Sequence, residues 1–172
     1  MSQDSTASSV VFAAGKGSRM KGYDGNKTLL PLIPRESSFR GDLPMLIHIL
    51  EQLPPGPKSV VVHHRKEEIA RATRDMGVVY CDQPVTNGTG GALLAARPFL
   101  NKVDSENVIV TMGDVPLVRR ETYGSLLDRL REHPLVVLGF EPEDRKRYGL
   151  LETVGPVVRR IVEWTYWRRL PA

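Results

Sequence analysis

The sequence predicts an α/β fold, a Rossmann-like three-layer domain built on a mostly parallel mixed sheet. Near-continuous apolar runs alternate along the chain with segments whose apolar residues recur every three or four positions. The first pattern is typical of strands covered on both faces, and the second is typical of helices that pack on one side. Alternation of the two patterns favours a parallel sheet with helices on both faces.

The apolar runs predict five strands, at residues 9–14, 59–63, 78–81, 107–112 and 135–140. Helices are predicted at 43–53, 66–76, 91–100 and 123–130. The second helix has Glu67 and Glu68 in its first turn, where acidic side chains favour a helix start, and Gly77 just past its end. In a parallel sheet with this order, ligands bind at the carboxyl ends of the strands.

Two segments depart from this alternation. Residues 31–43 are polar, with prolines at positions 31 and 34, and predict an irregular surface loop. Residues 149–153 and 157–163 predict two strands that turn at Gly155 and Pro156. No repeat or linker interrupts the sequence, so we expect one domain over residues 1–172.

Composition narrows the class of function. The net charge is +4, and the basic clusters are spread over several predicted loops and element ends instead of being gathered on one face as in a nucleic-acid binder, so no nucleic-acid partner is expected. No apolar run approaches the ~20 residues that span a bilayer, and the N-terminus lacks the pattern of a secretory signal. The single cysteine, Cys81, permits no internal disulfide and predicts a small buried residue. We therefore expect a cytoplasmic protein without a membrane partner.

The loop after the first predicted strand carries the strongest chemical signal. Gly15 and Gly17 flank Lys16, and Arg19 follows. Small residues and bare backbone N–H groups beside two cations suit the phosphates of a nucleoside triphosphate, although a plain tight turn has the same composition. The dinucleotide fingerprint is excluded because Met20 stands where its third glycine belongs, and no P-loop string begins here.

Two further strand ends carry polar residues. Asp114 follows Gly113 directly after the strand at 107–112, where a carboxylate can hold a hard cation such as Mg²⁺ or can simply cap a turn. Gln83 follows the strand at 78–81 and offers an amide suited to the edge of a nucleobase. Gly88 and Thr89 come next, either beside a base or ribose or as a flexible turn with Thr89 as helix N-cap.

Seven strings occur in order along the chain: FAAGKGSRM at 12–20, NKTL at 26–29, LPMLIH at 43–48, QPVTNGTG at 83–90, GDVPL at 113–117, RYG at 147–149 and IVE at 161–163. Together they resemble the sugar-phosphate nucleotidyltransferases, and most closely the uridylyltransferase domain of bifunctional N-acetylglucosamine-1-phosphate uridylyltransferase. The resemblance covers residues 10 to 163, nearly the whole chain. It implies a fold of the nucleotide-diphospho-sugar transferase type and a Mg²⁺-dependent transfer from a triphosphate, with UTP favoured, to a sugar 1-phosphate.

The resemblance also implies a role for each matched residue. The nucleotide-binding set is Phe12, Ala13, Ala14, Gly15, Lys16, Gly17, Gln83, Gly88, Thr89 and Gly113. The catalytic set is Arg19, Lys27 and Asp114, with Asp114 also the metal ligand. The sugar-binding set is Tyr148, Gly149 and Glu163. Lys16 and Arg19 would hold the triphosphate, and Lys27 would neutralise the phosphates being joined.

The chain departs from the family at several points. Leu43 stands where the family has a lysine, and Leu150 replaces a basic residue near the sugar. The family's later asparagine and second magnesium ligand would lie beyond Ala172, so a short or missing sugar-binding part is expected. The aromatic residues of 164–170 predict packing on the sheet, a contact between copies in a homo-oligomer, or a substitute wall for the pocket. A nucleotide-binding protein without turnover and a molybdenum-cofactor nucleotidyltransferase are the alternatives.

Overall fold

The structure is a computed structural model that describes residues 7–15, 22–144 and 148–168. Three residues given a role above, Lys16, Gly17 and Arg19, lie outside these ranges. The chain forms two compact units, Met1–Leu127 and Asp128–Ala172. The expectation of one domain stays a prediction.

The strands, in chain order, are β1 (Ala7–Phe12), β2 (Pro31–Ser37), β3 (Arg40–Pro44), β4 (Lys58–Val62), β5 (Val79–Asp82), β6 (Asn107–Met112), β7 (Leu150–Val154) and β8 (Val157–Val162). The helices are α1 (Met45–Gln52), α2 (Lys66–Ala72), α3 (Thr89–Ala95), α4 (Arg97–Leu100), α5 (Arg120–Arg129) and α6 (Trp164–Trp167), with a 3₁₀ turn at Lys27–Leu29. No helix in the described ranges is long and apolar enough to cross a membrane.

A four-stranded parallel sheet forms the centre of the first unit. Its strand order is β5-β4-β1-β6, and each neighbouring pair runs in the same direction. The register pairs Phe12 with both Val61 and Met112, so the carboxyl ends of the central strands lie at one edge. Four of the five predicted strands are confirmed.

Helices cover both faces of this sheet. Successive side chains of β1 point to opposite faces, so neighbouring residues of this strand pack against different helices. Val11 packs in a core cluster with residues of α1, α2 and α5, including Leu46 and Ile69. Val10 packs in a second cluster with Ala92 and Phe99 of α3 and α4. The three-layer α/β fold is confirmed.

The predicted helices form with different ends. The expected helix at 91–100 begins at Thr89 and is divided into α3 and α4 at Ala96. Pro98 lies in the first turn of α4, where its missing N–H is tolerated. The helix expected at 66–76 ends at Ala72, and a turn leads to Gly77 at φ +62°.

Two expectations about the strands are wrong. Residues 31–43 are not an irregular loop, because β2 and β3 pair as an antiparallel hairpin. Prolines are tolerated in a two-stranded hairpin, because each strand has an open edge. Gly41 lies opposite Pro34 and lets the two strands approach closely, since a Cβ on Gly41 would lie 2.0 Å from the carbonyl oxygen of Ile33. Residues 135–140 form no strand, and no described strand pairs with them. Leu135, Leu138 and Phe140 of this run are exposed.

The second unit contains the predicted pair of strands. β7 and β8 pair antiparallel and turn at Gly155, whose φ of +56° favours glycine. The Arg160 guanidinium makes two hydrogen bonds to the Glu152 carboxylate, at 2.6 and 2.8 Å. This ion pair lowers the pKa of Glu152, chiefly through its hydrogen bond from Arg160.

Candidate functional site

A cavity of about 260 Å³ opens at the carboxyl ends of the central strands. Its described lining comes from the ends of β1 and β6, from the loops after β1, β5 and β6, from the 3₁₀ turn and from the first turn of α3. The lining residues are Phe12, Ala14, Gly15, Lys27, Thr28, Gln83, Thr86, Gly88, Thr89, Ala92, Met112 and Asp114. Most of the described nucleotide-binding residues expected from the sequence are therefore brought together.

Lys27 and Asp114 form an ion pair in this cavity. The Lys27 Nζ atom donates to the Asp114 Oδ2 atom across 2.5 Å, and each side chain is about one-third exposed. The Lys27 Cε atom also lies 3.5 Å from the point where a Cβ on Gly15 would stand. A cation thus lies between the first loop and the carboxylate after β6.

Gly113 sets the position of Asp114 at the end of β6. Its backbone N–H donates to the carbonyl of Phe12 at 2.9 Å. This hydrogen bond continues the pairing of β1 and β6 by one residue past the end of β6. A Cβ at Gly113 would stand only 3.0 Å from the Phe12 oxygen and from the Thr28 Cγ2 atom. Any side chain here would be crowded, so glycine favours this close approach, a packing role in addition to the expected one.

Asn26 holds the turn that presents Lys27. Its buried Nδ2 group donates to the carbonyls of Ala13, at 3.3 Å, and His64, at 2.8 Å. Its Oδ1 atom accepts from the backbone N–H and the hydroxyl of Thr28. The Asn26 backbone N–H donates to the carboxylate of Glu68. One asparagine therefore ties the 3₁₀ turn to the loops after β1 and β4.

Gln83 lies buried at the start of the loop after β5. Its backbone N–H donates to the Val62 carbonyl, and its Nε2 group donates to Asn87 Oδ1 and to the Gly88 carbonyl, each at 3.2 Å. Gly88, not Thr89, is the N-cap of α3, and its φ of +99° suits only glycine. The interpretation of Thr89 as N-cap is wrong, because Thr89 is the first residue of the helix.

Asp114 suits a magnesium ion by its chemistry. In the described ranges no three His, Cys, Asp or Glu side chains come together as a metal cluster. Mg²⁺ is commonly held by one or two carboxylates with substrate phosphate oxygens and water, so one carboxylate beside a phosphate site is a fitting donor set. Asp114 already has a cationic partner in Lys27. Magnesium binding by Asp114 stays a prediction.

The three sugar-binding candidates lie in the second unit, and they are neighbours there. A Cβ on Gly149 would stand 3.9 Å from the Glu163 Cα atom. The Trp167 indole donates to the Tyr148 carbonyl at 3.0 Å. In the same segment the Arg168 guanidinium lies 4.4 Å from the centre of the Trp164 ring. The sugar-binding roles and the contact between copies stay predictions.

Sequence reasoning missed two residues of the site. Asn26 was part of a matched string, but nothing in its spacing indicated five hydrogen bonds across three segments. Asn87 lies in the matched string at 83–90 without a role of its own, although its side chain accepts from Gln83. The expectation for Cys81 is confirmed, since the thiol is free and buried, and burial raises its pKa.

Comparison with known proteins identifies similar chains. Residues 9–165 match the model of the MobA-like NTP transferase domain. The bifunctional protein GlmU of Cereibacter sphaeroides is 40% identical over 164 residues, which are 92% of this chain and 34% of that protein. The GlmU protein of Sphingopyxis alaskensis is 37% identical over 90% of this chain. The chain spans about a third of the length of these curated relatives.

A solved structure shares the fold at lower identity. HddC from Yersinia pseudotuberculosis, determined in complex with GMP-PN, is 22% identical with a TM-score of 0.65. The alignment covers 91% of this chain and 68% of HddC. This likeness shows the same architecture around the sheet.

Proposed function

The chain belongs to the MobA-like NTP transferase domain family of nucleotidyltransferases, and we propose that it joins a nucleoside monophosphate to a sugar 1-phosphate. UTP is the favoured donor and pyrophosphate is the second product. An oxygen of the sugar 1-phosphate attacks the α-phosphorus of the triphosphate. The bond from that phosphorus to the bridging oxygen breaks, and its electron pair leaves with pyrophosphate.

One observation carries this proposal: a cation, a carboxylate and a buried amide line a single cavity at the carboxyl ends of parallel strands. These are Lys27, Asp114 and Gln83, which come from three separate segments of the chain. Nucleotidyl transfer depends on positioning and on neutralising phosphate charge more than on covalent chemistry by the protein. The cavity supplies both kinds of group.

Each side chain has a task that follows from its position. Lys27 neutralises charge on the phosphates as they are joined, and the backbone at Gly15 lets them approach closely. Gln83, which is buried in the lining of the cavity, contacts the nucleobase. Asp114 would hold Mg²⁺, which when bound stabilises negative charge on phosphate oxygens. Asn26 keeps the Lys27 turn against the loop after β1.

The relatives support the sugar class of acceptor. The curated relatives bear the name bifunctional protein GlmU, and they match this chain over nine-tenths of its length. Release of pyrophosphate from a panel of nucleoside triphosphates and sugar 1-phosphates, with and without Mg²⁺, tests the proposal. We expect release only when a triphosphate, a sugar 1-phosphate and Mg²⁺ are all present. Triphosphate binding without pyrophosphate release across the panel would contradict it.

A further inference from the structure

The amide of Gln83 is held in a single orientation. Its Nε2 group donates to the Gly88 carbonyl at 3.2 Å and to Asn87 Oδ1 at 3.2 Å. A backbone carbonyl can only accept a hydrogen bond, so the nitrogen end of the amide must face Gly88. The Gly88 oxygen is itself fixed, because it also accepts the N–H of Ala92 in the first turn of α3.

Asn87 decides what is left of the Gln83 amide for a ligand. An amide nitrogen has two hydrogens, and Gly88 and Asn87 take one each. The group that remains for a ligand in the cavity is the Gln83 Oε1 atom, which only accepts. If Asn87 were replaced by a residue without an acceptor, one hydrogen of the amide would be released to the ligand.

Asn87 can take this position only because residue 91 is glycine. A Cβ built on Gly91 would stand 1.6 Å from Asn87 Oδ1 and 2.5 Å from its Cγ atom. The side chain of Asn87 therefore fills the space that any side chain at position 91 would need. Even an alanine there would force Asn87 to rotate away from Gln83.

We propose that Asn87, seated against Gly91, is a positioning residue that makes Gln83 an acceptor-only contact and thereby sets base specificity. The inference rests on the proposed function. Uracil and guanine carry a hydrogen on the ring nitrogen at the middle of their pairing edge, whereas cytosine and adenine carry a lone pair there. Where the Gln83 Oε1 atom faces that ring nitrogen, it accepts a hydrogen bond from the first pair of bases and repels the lone pair of the second. The site selects keto bases over amino bases of the same ring size.

Dissociation constants for UTP, CTP, GTP and ATP, measured by calorimetry with Mg²⁺ on the full chain, test this inference. For the unaltered protein we expect UTP to bind more tightly than CTP, or GTP more tightly than ATP, by about tenfold, as one hydrogen bond gained or opposed would give. Asn87→Ala and Gly91→Ala should each bring that ratio close to one. Asn87→Asp should keep the ratio, because a carboxylate also accepts, while its charge weakens binding of all four nucleotides.

A double substitution separates this role from a general effect on folding. Once Asn87 is alanine, adding Gly91→Ala should leave the base ratio unchanged, because the side chain to be displaced is gone. Gly91→Ala places a better helix former in α3, so we expect this variant to fold. Its thermal unfolding measures whether the fold is retained. Leu93→Ala, at an exposed position of the same helix, is the matched control and should keep the original ratio.

The outcomes distinguish the role of Asn87 from the proposed function. A base ratio that is unchanged in both folded single variants would overturn the role of Asn87 while leaving the proposed function intact. Tighter binding of CTP than UTP by the unaltered protein would do the same. Failure to bind any triphosphate would overturn the proposed function, and the specificity inference with it.

Discussion

Lys27 donates to the carboxylate of Asp114 across 2.5 Å and so joins two loops that are 87 residues apart in the chain. Both side chains are partly open to the cavity rather than sealed in the core. A partly exposed ion pair contributes little to stability, and this one lies at the strand ends, where we propose that its two side chains bind phosphate and metal.

Lys27→Met should lower the transfer rate by about a hundredfold or more, because a cation is lost beside the phosphates. The same change should tighten binding of Mn²⁺ alone, because Asp114 loses its internal counter-ion. Steady-state kinetics and titration with Mn²⁺ measure the two effects. Lys66→Met is the control, since Lys66 pairs with Asp82 at the end of β5, 2.9 Å away. Equal Mn²⁺ affinity in Lys27→Met and Lys66→Met would argue that the Lys27 ammonium and the metal ion do not compete for Asp114.

Asp114→Asn should weaken Mn²⁺ binding and lower the transfer rate by about a hundred- to a thousandfold, the scale seen when one charge-stabilising group is removed. The substitution preserves size and removes the charge. Asp82→Asn serves as its control, because Asp82 ends strand β5 and is exposed. If Asp114→Asn retained full metal-dependent turnover, Asp114 would not be the metal ligand.

Asn26→Ala should lower the free energy of unfolding by about 2 to 4 kcal/mol, because the buried carbonyl of Ala13 and the part-buried carbonyl of His64 lose their donor. Urea denaturation measures the loss. Asn101→Ala, at an exposed position after α4, should stay within about 0.5 kcal/mol of the unaltered protein. Similar stability of the two variants would show that the Asn26 hydrogen bonds do not hold the turn.

Gly88→Ala should destabilise the protein by about 1 to 3 kcal/mol, because φ at this position is +99°. Gly90→Ala, two residues later, meets no atom within 4 Å and lies in α3, so it should be neutral or slightly stabilising. Thermal unfolding of the pair makes the comparison. Gly88→Ala should also weaken triphosphate binding, since the Gly88 carbonyl orients Gln83.

The Cys81 thiol should react slowly in the native protein. Burial is the main cause that raises its pKa, so less thiolate is present at a given pH than for a free cysteine. At pH 8 we expect alkylation to accelerate by about tenfold or more when the chain is unfolded in guanidinium. Equal rates in the native and unfolded states would contradict the buried position.

The sequence predicted the parallel sheet well, because strands covered on both faces leave long apolar runs that are hard to mistake. The run at 135–140 was misread for the same reason: its composition matches a strand, but a strand also needs a partner, and no described strand pairs with it. The hairpin of β2 and β3 was missed because its prolines are acceptable in two strands with open edges.

At the site, the sequence predicted that the candidate residues meet at one edge of the sheet, and most of the described nucleotide-binding candidates do, since the ends of parallel strands converge there. What could not be predicted is how side chains satisfy one another across loops. The contact of Lys27 with Asp114 and that of Asn26 with His64 both depend on the fold. Asn87 and Gly91 are only four residues apart in the chain, so the spacing alone could have suggested that they are in contact.

The transfer of label from α-phosphate-labelled UTP tests the central claim most directly. With a sugar 1-phosphate and Mg²⁺, the account predicts that label moves into a nucleotide-sugar with one pyrophosphate released per transfer, and that Asp114→Asn abolishes most of this transfer. Label that stays in UTP across a broad panel of sugar 1-phosphates, while the protein binds UTP tightly, would contradict the account.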